Sequence, residues 1–107
     1  MRTRLLVILH VALGAAVAAC TRGRDIAGVD DSTFVRTMAK LQAIEANPAL
    51  DSAARAAARR AALQERGLAP DDLERAARAL AADPERAIKV WSRIDTATQR
   101  LTRPATR

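Results

Sequence analysis

Only His10 and Cys20 offer imidazole or thiol chemistry, because the sequence holds one histidine and one cysteine, and no tyrosine. A serine or cysteine nucleophile needs a nearby base, and a zinc site needs several such ligands. His10 lies within the uncharged run of residues 5–19, which directly precedes Cys20. If this run is removed from the mature chain, no histidine is left. We therefore expect no catalytic residue, no metal site and no cofactor, and a protein that is not an enzyme.

Residues 1–19 have the organisation of a secretory signal peptide. Arg2 and Arg4 give a positive start, and the uncharged run after them is shorter than the roughly 20 apolar residues that cross a bilayer. The run ends in Val17-Ala18-Ala19-Cys20, which resembles the lipobox of bacterial lipoproteins. This resemblance implies cleavage before Cys20, lipidation of its thiol, and an acyl chain such as palmitate on the new amino terminus. An ordinary signal peptide with a chance cysteine and a short anchor helix are the alternatives.

Lipidation of Cys20 would attach the protein to a membrane. One acyl chain binds weakly, at about 0.8 kcal/mol for each buried CH₂ group, whereas two or three chains anchor durably. We therefore expect a membrane-anchored protein of the cell envelope that faces the periplasm or the exterior. Thr21 follows the cysteine. In enteric bacteria an Asp at that position causes retention at the inner membrane, so Thr21 favours the outer membrane.

The charge of the chain is strongly positive, with 18 lysines and arginines against 12 acidic residues. Removal of residues 1–19 lowers the net charge from +6 to about +4. The acidic residues are interspersed among the arginines, so no block of one sign appears. A basic surface favours anionic lipid headgroups or acidic envelope polymers as partners. We expect no nucleic-acid partner.

Helical periodicity dominates the rest of the sequence, and no segment alternates as a strand does. We expect an all-α fold, a small bundle of three or four helices. The predicted organisation has four parts. These are a signal peptide over residues 1–19, a lipidated cysteine and flexible tether over 20–30, a helical domain over 31–102 and a frayed tail over 103–107.

The first and fourth predicted helices carry the clearest apolar stripes. The first covers residues 32–46, with Asp31 or Ser32 as its cap, and Pro48 ends it. The fourth begins at Pro84, a residue suited to the first helical position. The stripes expected to face the core are Phe34, Met38, Leu41 and Ile44 in the first helix and Ile88, Trp91, Ile94, Thr98 and Leu101 in the fourth.

The second and third predicted helices depend on alanine for their inward faces. The second begins after Asp51 and ends at Gly67, a residue suited to a left-handed position at a helix end. The third begins at Pro70, with acidic residues in its first turn. The inward faces are expected to be Ala54, Ala57, Ala58 and Ala61 in the second helix and Leu73, Ala76, Ala77 and Leu80 in the third.

Four side chains are candidates for contact with a partner or a polymer. Arg55, Arg59 and Arg66 are expected to share the face of the second helix that lies opposite its alanines. A simply solvated face is the alternative for these arginines. Trp91, the only tryptophan, could anchor a ligand or a partner, although a large aromatic side chain more often packs in the core.

The segment after Cys20 loosely resembles small bacterial lipoproteins that carry a helical domain of unknown function. The resemblance covers residues 31–101. It depends on the first helix, on the turn of residues 67–73, and on Asp83-Pro84 ahead of Trp91. It implies a location and a helical class but no activity.

From these features we expect an accessory or structural protein that docks on another envelope protein through an apolar or alanine-rich helix face. The alternative is a module that binds acidic envelope polymer or unfolded peptide through its arginines.

Overall fold

Four helices and one short β-hairpin make up residues 25–104, the part of the chain that the computed structural model describes. The elements follow one another as β1 (Asp25–Ile26), β2 (Val29–Asp30), α1 (Asp31–Ala46), α2 (Ser52–Glu65), α3 (Pro70–Ala81) and α4 (Pro84–Thr102). This confirms the all-α fold and the small helical bundle. The signal peptide and Cys20 lie outside the described residues. None of the four helices is both long and apolar enough to span a bilayer.

The β-hairpin replaces part of the expected tether, so the prediction of a flexible linker is wrong for residues 25–30. β1 and β2 pair antiparallel, with Ile26 opposite Val29, and both side chains are buried in the core. Ala27 and Gly28 connect the strands with φ angles of 50° and 88°, and two positive values are typical of a type I′ turn. Because two apolar side chains lie on one face of the hairpin, the hairpin packs as part of the domain.

α1 is the central helix. The Asp30 carboxylate caps it by accepting a hydrogen bond from the Thr33 amide at 3.1 Å, so the cap lies one residue before the predicted position. Asp31 instead forms an ion pair with Arg93 of α4 at 3.2 Å. The helix ends at Ala46, and the next residue, Asn47, has the extended backbone that is favoured before proline. The buried residues of α1 are Phe34, Val35, Thr37, Ala39 and Ile44.

The main core lies where the hairpin, the first half of α1, α3 and α4 meet. Its members are Ile26, Val29, Phe34, Val35, Ala76, Leu80, Val90 and Ile94. The rings of Phe34 and Trp91 meet edge to face, with centroids 6.3 Å apart. α1 and α4 run parallel, since Asp31 pairs with Arg93 near the start of α1 and Gln42 contacts Thr98 at 2.8 Å further along both helices.

The inward face of α3 is the one predicted. Ala76 and Leu80 are buried, and Leu73 and Ala77 are partly buried. Asp72, in the first turn, accepts a hydrogen bond from the Ala69 amide at 2.7 Å. Its carboxylate therefore satisfies one of the free backbone amides at the start of the helix. Leu73 and Leu80 lie on one face of the helix, two turns apart, and Pro70 marks its start. These residues are sufficient to predict α3.

The inward face of α4 is rotated from the predicted stripe. Val90 and Ile94 are buried, and Ala87 and Ala97 pack beside them. Ile88 is 72% exposed because it lies about 120° around the helix from Ile94. The prediction for Ile88 is wrong because the chosen stripe was wider than the surface that α1 and α3 cover.

The prediction that Leu101, at the end of the α4 stripe, faces the core is also wrong. Leu101 points in nearly the same direction as Ile94, but it is 54% exposed. Leu101 lies in the last turn of α4, past the main core, where it borders a surface cleft instead.

The inward face of α2 also differs from the prediction. Ala62 is the buried residue of this helix, and Ala58 and Leu63 are partly buried. The alanines expected to face inward, except Ala58, are exposed: Ala54, Ala57 and Ala61. The predicted end is confirmed, since Gly67 follows α2 with a φ of 64°. An alanine-rich helix has little difference in hydrophobicity between its faces, so its rotation is set by its neighbours.

Candidate functional site

Arg55 lies on the inward side of α2 and holds the loop that precedes the helix. Its Nη2 donates hydrogen bonds to the carbonyl oxygens of Asn47 at 3.3 Å and Leu50 at 3.0 Å. Its Nε is buried and has no partner among the described residues. Arg55 is half-buried, whereas Arg59 and Arg66, which lie within about 40° of it around the helix, are exposed. Its guanidinium closes the turn between α1 and α2.

The other two arginines of that predicted face have different surroundings. Arg59 forms an ion pair with Glu45 of α1, and about half of each side chain is exposed. Arg66, at the carboxyl end of α2, is exposed. Of the three predicted arginines, only Arg66 has its full set of donors available to a ligand.

The cations of the described chain divide into paired and unpaired groups. Arg59, Arg75, Arg78 and Arg93 form ion pairs with acidic residues, and Arg55 binds backbone carbonyls. Within residues 25–104, the cations with neither an ion pair nor a side-chain hydrogen bond are Arg36, Lys40, Arg60, Arg66, Lys89, Arg100 and Arg103. More than half of these unpaired cations lie together.

A cleft between α1, α2 and the end of α4 is lined by four of these seven unpaired cations. Arg36 and Lys40 come from α1, Arg66 from the end of α2, and Arg100 from α4. The cleft has a volume of about 400 Å³. Small or apolar side chains line the rest of it: Thr37, Ala39, Ala62, Ala97 and Leu101. Glu65 is the single acidic side chain at its edge.

A second depression of about 390 Å³ continues the cleft along α1 and α4. The two share Arg36, Ala97 and Arg100. The second depression is richer in hydroxyl groups, which come from Ser32, Ser92 and Thr96. Arg93 also lines it, but Asp31 balances its charge. We call the two depressions together the basic groove.

The electrostatics of the basic groove favour an anion. Arg36 and Lys40 are four residues apart on one helix face, and like charges at this spacing destabilise a helix by a few tenths of a kcal/mol. Arg66 and Arg100 add positive charge to the same cleft, and Glu65 offsets one unit of it. A bound anion would relieve this repulsion. It would also gain charge-assisted hydrogen bonds from the guanidinium groups.

Trp91 packs partly in the core and is partly available to a ligand or a partner. It is 36% exposed and covers the fully buried ring of Phe34, so one part of its indole belongs to the core. Ile88, one helical turn earlier, is mostly exposed. The two side chains form a small apolar patch on α4.

The acidic turn at the start of α3 is explained by its contacts within that helix. Asp72 pairs with Arg75, and Glu74 approaches Arg78 at 3.5 Å. No cluster of three or more metal-binding side chains is found in the stretch from residue 25 to residue 104. These carboxylates cap and balance α3.

Arg36, Lys40 and Arg100 are not among the site residues that the sequence predicted. The spacing of Arg36 and Lys40 does place them on one face of the first helix. What the sequence does not give is the parallel packing of α1 and α4, which brings Arg100 to that face. Comparisons of the chain with protein-family models, with curated proteins and with solved structures found no match.

Proposed function

We propose that this chain is a lipid-anchored protein of the cell envelope that binds an anionic envelope component in the basic groove. The observation that carries the proposal is the collection of unpaired Arg36, Lys40, Arg66 and Arg100 around one cleft. The proposed role is binding, without catalysis. The cluster of cations favours the alternative from the sequence, a module that binds acidic polymer through its arginines, over the docking protein that was expected first.

Because they surround a cleft, these cations should bind an anion more tightly than isolated surface charges would. An exposed ion pair contributes about 0–1 kcal/mol because water screens it. In the groove, several cations surround a floor of alanine and threonine, and a ligand that binds there displaces part of that water. The alkyl parts of arginine and lysine side chains can also contact the carbon atoms of a ligand.

Lipidation at Cys20 would keep the groove close to a membrane. The motif Val17-Ala18-Ala19-Cys20 supports this part of the proposal. Extended chain spans at most about 3.6 Å per residue, so the segment from Cys20 to Asp25 reaches no further than about 18 Å. The helical domain would therefore be held at the membrane surface, within reach of anionic polymers attached there.

The binding proposal is tested with the mature chain and a soluble acidic polysaccharide, polygalacturonate, at low and high salt. The double variant Arg36→Gln/Arg100→Gln should weaken binding by about tenfold or more. The charge-matched control Arg60→Gln/Lys89→Gln removes two unpaired cations outside the groove and should retain the wild-type affinity within about twofold. Equal losses in the two double variants would show diffuse charge attraction and reject the groove as the site.

The anchor is tested by Cys20→Ser in cells. The variant should retain residues 1–19 and carry no lipid, and intact-protein mass spectrometry measures both. It should also change its membrane fractionation. A processed product of unchanged mass and unchanged fractionation would contradict lipidation at Cys20.

Docking on another envelope protein is the second candidate, and the exposed Ile88 beside Trp91 favours it. A photo-crosslinking residue at position 88 should capture a discrete envelope protein, whereas the same residue at exposed position 60 should not. Equal capture at both positions would argue against a docking surface on α4.

A further inference from the structure

We infer that the basic groove takes a linear, hydroxyl-bearing polyanion and binds at least two neighbouring anionic groups of it at once. This inference rests on the proposed function and specifies the class of ligand. The alternative at the same site is a single anion, such as one phosphate or one carboxylate. The positions of the cations and hydroxyl groups along the groove distinguish the two.

The groove is elongated because α1 and α4 run parallel on its two sides. It extends from Ser32 to Lys40 on α1 and from Ser92 to Leu101 on α4. At 1.5 Å per residue, these stretches are about 12–14 Å long. A single phosphate or carboxylate would contact a small part of this length.

The unpaired cations lie at two successive positions along the groove. Arg36 and Arg100 line both depressions and therefore mark the middle. Of these two depressions, Lys40 and Arg66 line only the first, so they form a second cationic position beside Arg36 and Arg100. Arg36 and Lys40 are one helical turn apart, which is about 6 Å along the α1 axis. A chain with one anionic group in each sugar or polyol unit can place neighbouring groups at both positions.

The remaining polar groups suit the hydroxyls of such a chain. The Ser92 hydroxyl has no hydrogen-bond partner among the described residues, so it can donate to a ligand oxygen. The Glu65 carboxylate also forms no ion pair within residues 25–104, so it can accept from a ligand hydroxyl. Ala39, Ala62 and Ala97 leave the floor without large side chains that would block an extended chain.

The ligand chemistry is therefore that of an acidic polysaccharide or a polyol phosphate, which share a hydroxylated backbone and regularly spaced anions. Arg93 adds little at the far end because Asp31 is paired with it at 3.2 Å. Two cationic positions, followed by a hydroxyl-rich and nearly neutral stretch, predict that affinity rises over the first few units of the ligand and then levels off.

The test is calorimetric titration of the mature chain with galacturonate monomer, dimer, trimer and hexamer, and separately with glycerol phosphate and its oligomers. We expect affinity to rise by more than about tenfold between monomer and trimer, beyond the threefold that the number of anionic groups alone supplies. Tighter binding of the galacturonate series would indicate a carboxylate ligand, and tighter binding of the glycerol phosphate series would indicate a phosphate ligand. Inorganic polyphosphate, which has no hydroxyl groups, should bind more weakly than an oligomer of equal charge.

Lys40→Gln is the decisive variant. It should reduce the gain in affinity between monomer and trimer to about the threefold that the number of anionic groups supplies. Arg60→Gln, the matched control, should retain the full dependence on length. Both side chains are exposed, and thermal unfolding of both variants checks that the fold is kept.

Each outcome separates this inference from the proposed function. Affinity proportional to the number of anionic groups, with no effect of Lys40→Gln on its length dependence, would overturn the two-position inference and leave an anion-binding groove. Failure of every oligomer and of polygalacturonate to bind would overturn both.

Discussion

The two halves of α1 are packed in different ways. Around Phe34, the hairpin, α3 and α4 enclose α1 with interlocking large apolar side chains. Near Ile44, α1 is covered by α2, whose buried residue is Ala62 and whose other links are the Arg55 hydrogen bonds and the Arg59–Glu45 pair. Burial of a large apolar side chain contributes about 1.5–3 kcal/mol, whereas an exposed ion pair contributes about 0–1 kcal/mol. Folding free energy is therefore concentrated in the main core, and α2 is held weakly.

The largest effect should come from the strongly packed half. Phe34→Ala removes a fully buried ring, and truncations of this kind cost about 3–5 kcal/mol of unfolding free energy. Trp91, the only tryptophan, lies against this ring and reports the transition by fluorescence in urea. Leu63→Ala in α2 is the comparison, and we expect it to cost about 1 kcal/mol. Similar losses in the two variants would mean that the halves are equally packed.

A smaller and local effect should come from Arg55→Ala. Loss of the hydrogen bonds to the carbonyls of Asn47 and Leu50 should destabilise α2 by about 1 kcal/mol, since these bonds are charge-assisted but partly exposed. Hydrogen exchange of α2 amides should then accelerate about fivefold, while exchange around Ile94 stays unchanged. Arg60→Ala, which removes an exposed arginine of the same helix, should leave both rates unaltered. Equal acceleration in α2 and α4 would indicate one cooperative unit.

The smallest effect concerns the hairpin, at the strongly packed end. Ala27 has a φ of 50°, and a left-handed backbone costs an alanine about 1–2 kcal/mol. Asparagine tolerates this conformation better, so Ala27→Asn should stabilise the protein by about 0.5 kcal/mol in urea unfolding. Gly28→Ala, at a φ of 88°, should destabilise it. A neutral Gly28→Ala would show that the turn is not formed in solution.

The elements that the sequence predicted well are those in which one face is strongly apolar. α3 has two leucines and a buried alanine on one stripe, so its bounds and its inward face follow from periodicity. In α4, Val90 lies about 40° from Ile94 and Ile88 about 120° on the other side, and the packing of the main core includes Val90 alone. The rotation of a helix with two plausible faces therefore depends on its partners.

The hairpin and α2 could not be read from local pattern for different reasons. Ala27-Gly28 lacks the Asn-Gly or Asp-Gly signature of a two-residue turn, and each strand has only two residues. Alanine has nearly the same preference for both faces of a helix, so α2 carried no signal for its orientation. The basic groove is a property of three helices together. Its cations were visible in the sequence, but their proximity was not.

The position of Arg66 has a thermodynamic consequence. Arg36, Lys40 and Arg100 come from helices fixed to the main core, whereas Arg66 reaches the cleft from weakly held α2. A ligand that bridges the two sides must bind more tightly when α2 is docked than when it is open. Linkage then requires ligand and α2 docking to stabilise each other by the same free energy. Substitutions in the loop held by Arg55, whose residues line neither depression of the basic groove, would thus change the affinity for the ligand.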